Sequence, residues 1–179
     1  MDMSGRGTWP TSLKYRHSMK HVHKSVLLWY SPREMYGLVT DVQAYPQFLP
    51  WCDRAEVLET HDDGVTARLH IAFAGVHQAF TTRNVNEHAA SVNMRLVDGP
   101  FSRLEGTWRF TPLQKPGASS LPDTTADPAD SPACKVEFTL NYAFSSRALS
   151  LVVSPVFDRI ANTFVEAFVK RAEQVHGPR

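Results

Sequence analysis

Hydrophobic and polar positions alternate with a period of two through the middle of the chain and with a helical period at its end. Val156, Phe157, Ile160, Phe164, Ala167 and Phe168, with Val165 and Val169 beside them, recur at steps of three and four over residues 155–176. Arg159, Asn162, Glu166, Lys170 and Glu173 take the opposite face. This spacing predicts one long amphipathic helix, with Ser154 as N-cap, Pro155 in its first turn and Gly177-Pro178 as its stop. A stripe so rich in phenylalanine needs a large apolar surface to lie against.

Strands supply that surface. Period-two runs are legible at 21–30, 54–60, 65–73, 77–86, 92–96, 104–110 and 136–144. The last is the most regular: Val136, Phe138, Leu140, Tyr142 and Phe144 alternate with Lys135, Glu137, Thr139 and Asn141. Asp62-Asp63-Gly64, Gly75 and Asp98-Gly99-Pro100 punctuate the runs as turns. After the first run, Ser31-Pro32-Arg33-Glu34 has the form of a capping box with proline at the first helical position. It predicts a helix over 32–40, with Met35, Tyr36, Leu38 and Val39 on its buried side. The aromatic stretch 41–51, broken by Pro46 and Pro50, predicts a second short helix or turn. The short spacing of the runs favours an antiparallel meander. The fold class is therefore α+β: a curved antiparallel sheet of about seven strands around a long C-terminal helix, with two short helices after the first strand.

Composition sets the limits of this unit. A length of 179 residues with 42% hydrophobic content suits one domain with a real core. Residues 1–18 read as a disordered extension, 19–177 as the single domain, and 114–132, rich in proline, serine and aspartate, as a flexible loop. Nineteen basic against eighteen acidic residues leave a formal charge of +1, which gives no global attraction to DNA. No run approaches the ~18 apolar residues of a membrane span, and no secretory signal is legible. A cytoplasmic protein is the default expectation, with peripheral contact at the inner membrane as an addition. Cys52 and Cys134 lack metal spacing and read as free thiols.

The candidate chemistry is apolar. Phe73, Phe80, Met94, Trp108, Phe110, Phe138 and Tyr142 share the concave parity of their strands, and Phe157, Ile160, Phe164 and Phe168 face them from the helix. Such a set makes either a solid core or the wall of a cavity for a lipophilic ligand. Thr82 and Asn84 share the parity of Phe80 and could hydrogen-bond a ligand's polar head. His21 and His23 lie on one side of a strand without a local third ligand, so no metal is expected. No serine sits in a nucleophile elbow, no glycine-rich loop fits a phosphate, and no catalytic residue is assigned. Arg83, Arg95, Arg103 and Arg109 are outward by parity, either a solvated face shared with Glu105 and Glu137 or a basic patch for RNA phosphates. The apolar stretch 148–156 reads as a buried helix turn or as an interfacial segment that touches a bilayer.

Several blocks carry a resemblance. They are Tyr30-Ser31-Pro32-Arg33-Glu34-Met35-Tyr36 with Leu38-Val39 and Asp41-Val42, Tyr45-Pro46-Gln47-Phe48-Leu49-Pro50, Phe80-Thr81-Thr82-Arg83-Asn84, Leu96-Val97-Asp98-Gly99-Pro100-Phe101, Trp108-Arg109-Phe110-Thr111-Pro112-Leu113, and Ala167-Phe168 with Arg171-Ala172. Together they resemble the coenzyme Q-binding START-like family across about 19–177, within the polyketide cyclase/dehydrase and lipid transport superfamily. The resemblance implies a helix-grip fold and a cavity, and with it a non-enzymatic carrier or chaperone of ubiquinone that supports respiration, with no covalent cofactor. It equally admits a ribosome-association toxin that binds the large ribosomal subunit, and more remotely a polyketide cyclase-type enzyme. The chain departs from the family pattern in its long 114–132 loop and in Pro155, where a continuous helix is expected.

Overall fold

Seven strands form one antiparallel sheet in the computed structural model, which describes residues 19–113 and 127–179. They are β1 (Lys20–Leu28), β2 (Cys52–His61), β3 (Gly64–Phe73), β4 (Val76–Glu87), β5 (Ser91–Asp98), β6 (Phe101–Pro112) and β7 (Cys134–Phe144). The order β1-β7-β6-β5-β4-β3-β2 is a meander from β2 to β7, with β1 added beside β7. Between β1 and β2 lie α1 (Pro32–Thr40) and a 3-10 turn (Val42–Gln47). The long helix α2 (Arg147–His176) follows β7. This is the predicted α+β helix-grip arrangement. The capping box that predicted α1 is present: Ser31 Oγ accepts from the Glu34 N–H at 3.1 Å, and the Glu34 carboxylate accepts from the Ser31 N–H at 2.8 Å.

Local irregularities curve the sheet. Pairing shifts occur at Cys52/Arg54 and Val57/Glu59, at Thr81/Thr82, and at Phe101/Arg103. Each extra residue bends its strand and increases twist. At the second place Thr81 faces Asp98 and Thr82 faces Leu96, so Val97 is left out of register and stands 58% exposed. Gly106 makes a different allowance, for a Cβ there would lie 2.5 Å from the Met94 methyl. Its missing side chain lets Met94 lie across the concave face. Ala74 and Gly75, both at positive φ, close the β3–β4 turn in the two-residue form that matches strand twist.

The long helix corrects the expectation. It begins at Arg147, not at 155, and its cap is Ser146, whose hydroxyl accepts from the Leu149 N–H at 3.2 Å. Ser154 is an interior residue and Pro155 lies inside the helix. Proline removes the N–H that would meet the Leu151 carbonyl. Leu151 is 71% exposed, so water can serve that carbonyl, and the helix continues. At 1.5 Å per residue, α2 is about 45 Å long. It contains an 18-residue window of mean hydropathy 1.3, enough by length and composition to cross a membrane. Here that hydropathy comes from a stripe packed on the sheet together with the exposed Leu151 and Val152.

Residues 1–18 and 114–126, expected to be disordered and flexible, lie outside the described residues. The end of the same loop is tied down. Pro128–Asp130 form a 3-10 turn, and Arg33 of α1 donates to Asp130 at 2.6 Å and to Asp127 at 2.7 Å.

Candidate functional site

A partly enclosed cavity of about 50 Å³ lies between the concave face and α2. Ala67 and Leu69 of β3, Phe80, Thr82 and Asn84 of β4, Met94 of β5, Leu104 of β6, and Phe138 and Leu140 of β7 form the sheet wall. Phe157, Ile160, Ala161 and Phe164 of α2 form the opposite wall, and Val42, Tyr45 and Trp51 close one end. The volume suits a few waters and is far below the ~300–1,000 Å³ of ordinary small-molecule pockets. Admitting a ring would require side chains such as Met94, Phe157 and Phe164 to change rotamer.

The thirteen residues assigned from the sequence divide in two. Phe80, Thr82, Asn84, Met94, Phe138, Phe157, Ile160 and Phe164 line the cavity. Trp108, Phe110, Tyr142 and Phe168 share its faces but are packed away from it, at most 3% exposed. Phe168 meets Tyr45, Phe48, Trp108 and Phe164 at centroid distances of 5.0–5.4 Å, which makes that end solid core. Phe73 lies at the end of β3, where the Arg159 guanidinium covers its ring at 5.5 Å. Period-two parity separates the faces of a strand and says nothing of position along the groove. Sequence reasoning missed Tyr45 and Trp51, which come from an irregular segment with no period; its crowding of aromatics was the available signal.

The polar inventory is small. Thr82 donates to Asn84 Oδ1 at 2.8 Å, and Tyr45 donates to the Val39 carbonyl at 2.6 Å. Burial holds the Tyr45 phenol far above its usual pKa. The buried indole N–H groups of Trp51 and Trp108 have no partner among the described residues. Among the described residues no carboxylate or imidazole lines the cavity. Burial pushes the Cys52 thiol up to about 11 and the Cys134 thiol up to about 12, so both are inert at neutral pH. His21 and His23 bond across to Asn141 at 2.7 Å and Thr139 at 3.2 Å, and no cluster with metal-ligand composition occurs among the described residues.

Two features flank the cavity. An open groove of about 480 Å³ lies between Gly75–Gln78 and the first turns of α2, bordered by Ala148, Leu149, Val152 and Val153. Val153 borders the groove, and Phe157, one turn on, borders the cavity. On another side of α2, Asp158 accepts from Lys20 and from the Tyr142 hydroxyl, and Lys20 also reaches Ser154. Burial and the Asp158 carboxylate push the Tyr142 phenol well above its usual pKa. The outer sheet face is partly charge-compensated, with Glu105 shared by two arginines and Glu137 paired with Lys135 at 2.8 Å. Arg83 pairs with Asp63, Arg103 with Glu105 at 2.8 Å, Arg95 stands opposite Glu105, and Arg109 stands opposite Glu137.

A partly enclosed apolar cavity thus lies under the gripping helix, with no acid–base pair in its wall among the described residues. The family described as polyketide cyclase / dehydrase and lipid transport matches residues 28–169. The chain belongs to this family. The ribosome association toxin RatA of Escherichia coli is 38% identical over 161 residues, 90% of this chain and 92% of that protein. The mitochondrial coenzyme Q-binding protein COQ10 homolog B of Xenopus laevis is 32% identical over 155 residues, 86% of this chain and 58% of that protein. A START superfamily protein from Mycobacterium smegmatis shares the fold with a TM-score of 0.66 at 21% identity, covering 87% of this chain and 98% of that one.

Proposed function

We propose that this family member binds an isoprenoid quinone, ubiquinone in the first instance, between the sheet and α2, and carries it without changing it. The observation that carries the reading is the cavity: apolar on almost every side, polar only at Thr82, Asn84, Tyr45 and Trp51. A quinone head has that composition, and its isoprenoid tail could leave along the groove beside Val153. The similarity to a coenzyme Q-binding protein supports the same ligand. The protein would act in the cytoplasm and at the inner membrane, supporting respiratory electron transport. A cyclase-type enzyme is disfavoured, because the cavity wall offers no carboxylate or imidazole for proton transfer.

The toxin relatives favour a second reading, association with the large ribosomal subunit. The outer face gives it a partial hold: Arg83 and Arg103 are paired with carboxylates, whereas Arg95 shares Glu105 with Arg103 and Arg109 faces a Glu137 already paired with Lys135. Mass spectrometry of lipid extracted from natively purified protein tests the leading reading. A stoichiometric isoprenoid quinone is expected. Lipid-free protein that also takes up no quinone from vesicles, together with depleted 70S particles on overexpression, would move the assignment to the ribosome.

A further inference from the structure

One row across the concave face runs Asn84 of β4, Met94 of β5, Gly106 of β6 and Leu140 of β7, each directly opposite the next. Asn84, Met94 and Leu140 line the cavity, and Gly106 between them does not. Gly106 is buried in the middle of its strand, and its φ is not positive, so its backbone does not call for glycine. A mid-strand glycine weakens its strand and often marks a place where another group approaches the backbone closely. Here that group is Met94. A Cβ on residue 106 would lie 2.5 Å from the Met94 methyl, 3.3 Å from Leu140 Cδ1 and 3.5 Å from the Thr139 carbonyl oxygen. The end of the Met94 side chain therefore rests in the notch that the missing side chain leaves over β6. Asn84 stands on the other side of Met94. The space within reach of the methionine is this notch and the cavity that it borders.

We propose that Gly106 is a specificity-determining position: its notch holds the Met94 side chain out of the cavity, and so sets how bulky a ring head the cavity admits. This rests on the quinone-carrier reading and adds to it the feature that chooses among quinone heads. Methionine is unbranched and freely rotating, so it can settle flat over residue 106 as a ring enters. A fully substituted ring, with two methoxy groups and a methyl as in ubiquinone, needs that withdrawal most. An alanine at 106 would claim the notch. The clash falls on the far end of a flexible side chain, so the strand stays in place and Met94 turns into the cavity. The bulkier head then loses its place before a smaller one does.

The test uses the full-length protein and two probes with the same tail: decylubiquinone, and decylplastoquinone, whose smaller ring carries two methyl groups and no methoxy group. Retention after rapid gel filtration, quantified by extraction and chromatography, gives an affinity for each. Gly106→Ala should weaken decylubiquinone about tenfold, the scale of overpacking by one small group, and decylplastoquinone less. Met94→Ala opens the same place from the other side and should shift the ratio of the two affinities towards decylubiquinone. Gly106→Ala combined with Met94→Ala removes the displaced side chain and should restore decylubiquinone binding, which an effect on the β6 backbone alone would not allow. Urea unfolding of each variant separates lost binding from a lost fold, and Met94→Ala tests the proposal independently of whether Gly106→Ala folds. Undiminished decylubiquinone binding by folded Gly106→Ala, a loss that the double variant does not restore, or an unchanged ratio in Met94→Ala overturns the role of the notch and leaves the carrier reading standing. Wild type that retains neither quinone overturns both.

Discussion

Pro155 divides α2 into two lengths that behave differently. After it, Phe157, Ile160, Ala161, Phe164, Val165, Phe168 and Ala172 are buried along one stripe. Before it, only Val153 and Ser154 are buried, Leu151 and Val152 stand 71% and 66% exposed, and the neighbouring sheet surface is an open groove. One helix thus acts as core at its far end, cavity wall in its middle and exposed apolar surface at its start. The helical period is the same throughout. What changes is how closely the curved sheet follows the helix, and that is set by bulges and by Gly106 in other strands.

The largest effect that can test this contrast is at the solid end. Phe168→Ala removes a ring that is 0% exposed and touches four other aromatics, and should cost about 3–5 kcal/mol in urea unfolding. Phe164 also meets four aromatic rings but borders the cavity, so Phe164→Ala should fall at the low end of the same range, about 3 kcal/mol. Phe164→Trp sharpens the pair. Overpacking a filled site costs about 1–3 kcal/mol, whereas growth into the cavity should cost less than about 1 kcal/mol and should expel ligand. Equal losses at positions 164 and 168 would show that the cavity wall is core in all but name.

The next effect concerns how the middle of α2 is held. Tyr142→Phe keeps the buried ring and deletes only the hydrogen bond to Asp158. A hydrogen bond to a charged group contributes about 1.5–3 kcal/mol when buried, and the partly exposed Asp158 argues for the lower end. The same bond has a pH signature. The phenol's pKa is raised in the folded protein by burial and by Asp158, so the stability it contributes is complete below the unfolded value of about 10. It is lost as pH rises from there towards the folded value. Wild type should therefore lose stability more steeply than Tyr142→Phe above about pH 10. Parallel alkaline limbs for the two proteins would mean that the phenol and Asp158 do not interact in solution.

These contrasts also mark what was legible. The capping box at Ser31–Glu34 and the alternation in β7 fix local structure through adjacent residues, and both could be read directly. Short spacing gave the meander from β2 to β7, whereas the pairing of β1 with β7 joins strands far apart in sequence and was not legible. The start of α2 could not be read, because Ser154-Pro155 satisfies the local rule for a helix start as well as Ser146 does. The competition was decided by burial of Val153 and by the Lys20–Ser154–Asp158 contacts, which join residues far apart in sequence. The site failed in the same way. Parity placed Trp108 and Phe168 on the correct faces, yet whether a face meets cavity or core depends on curvature, and curvature arises where Val97 slips out of register. Trp51 lies in no periodic element at all.

The smallest expected change in stability sits at the exposed start of α2. Leu151 and Val152 project into solvent beside the groove, about a turn and a half before Phe157 of the cavity wall. Apolar side chains held outward at the opening of a lipid-binding fold favour an interfacial role, with the pair dipping among acyl chains while ligand passes. Burial in the protein predicts little cost for replacing them, since surface substitutions are usually within about ±0.5 kcal/mol. Leu151→Ser with Val152→Ser should therefore leave the unfolding midpoint almost unchanged. Removing two exposed apolar side chains deletes about 3–5 kcal/mol of potential apolar contact with a bilayer. Co-sedimentation with phospholipid vesicles should fall by more than tenfold, and transfer of quinone between vesicles should slow with it. A double variant that unfolds earlier than wild type would place the two residues in the core. One that keeps both its stability and its vesicle binding would show that the start of α2 is not the membrane-facing surface.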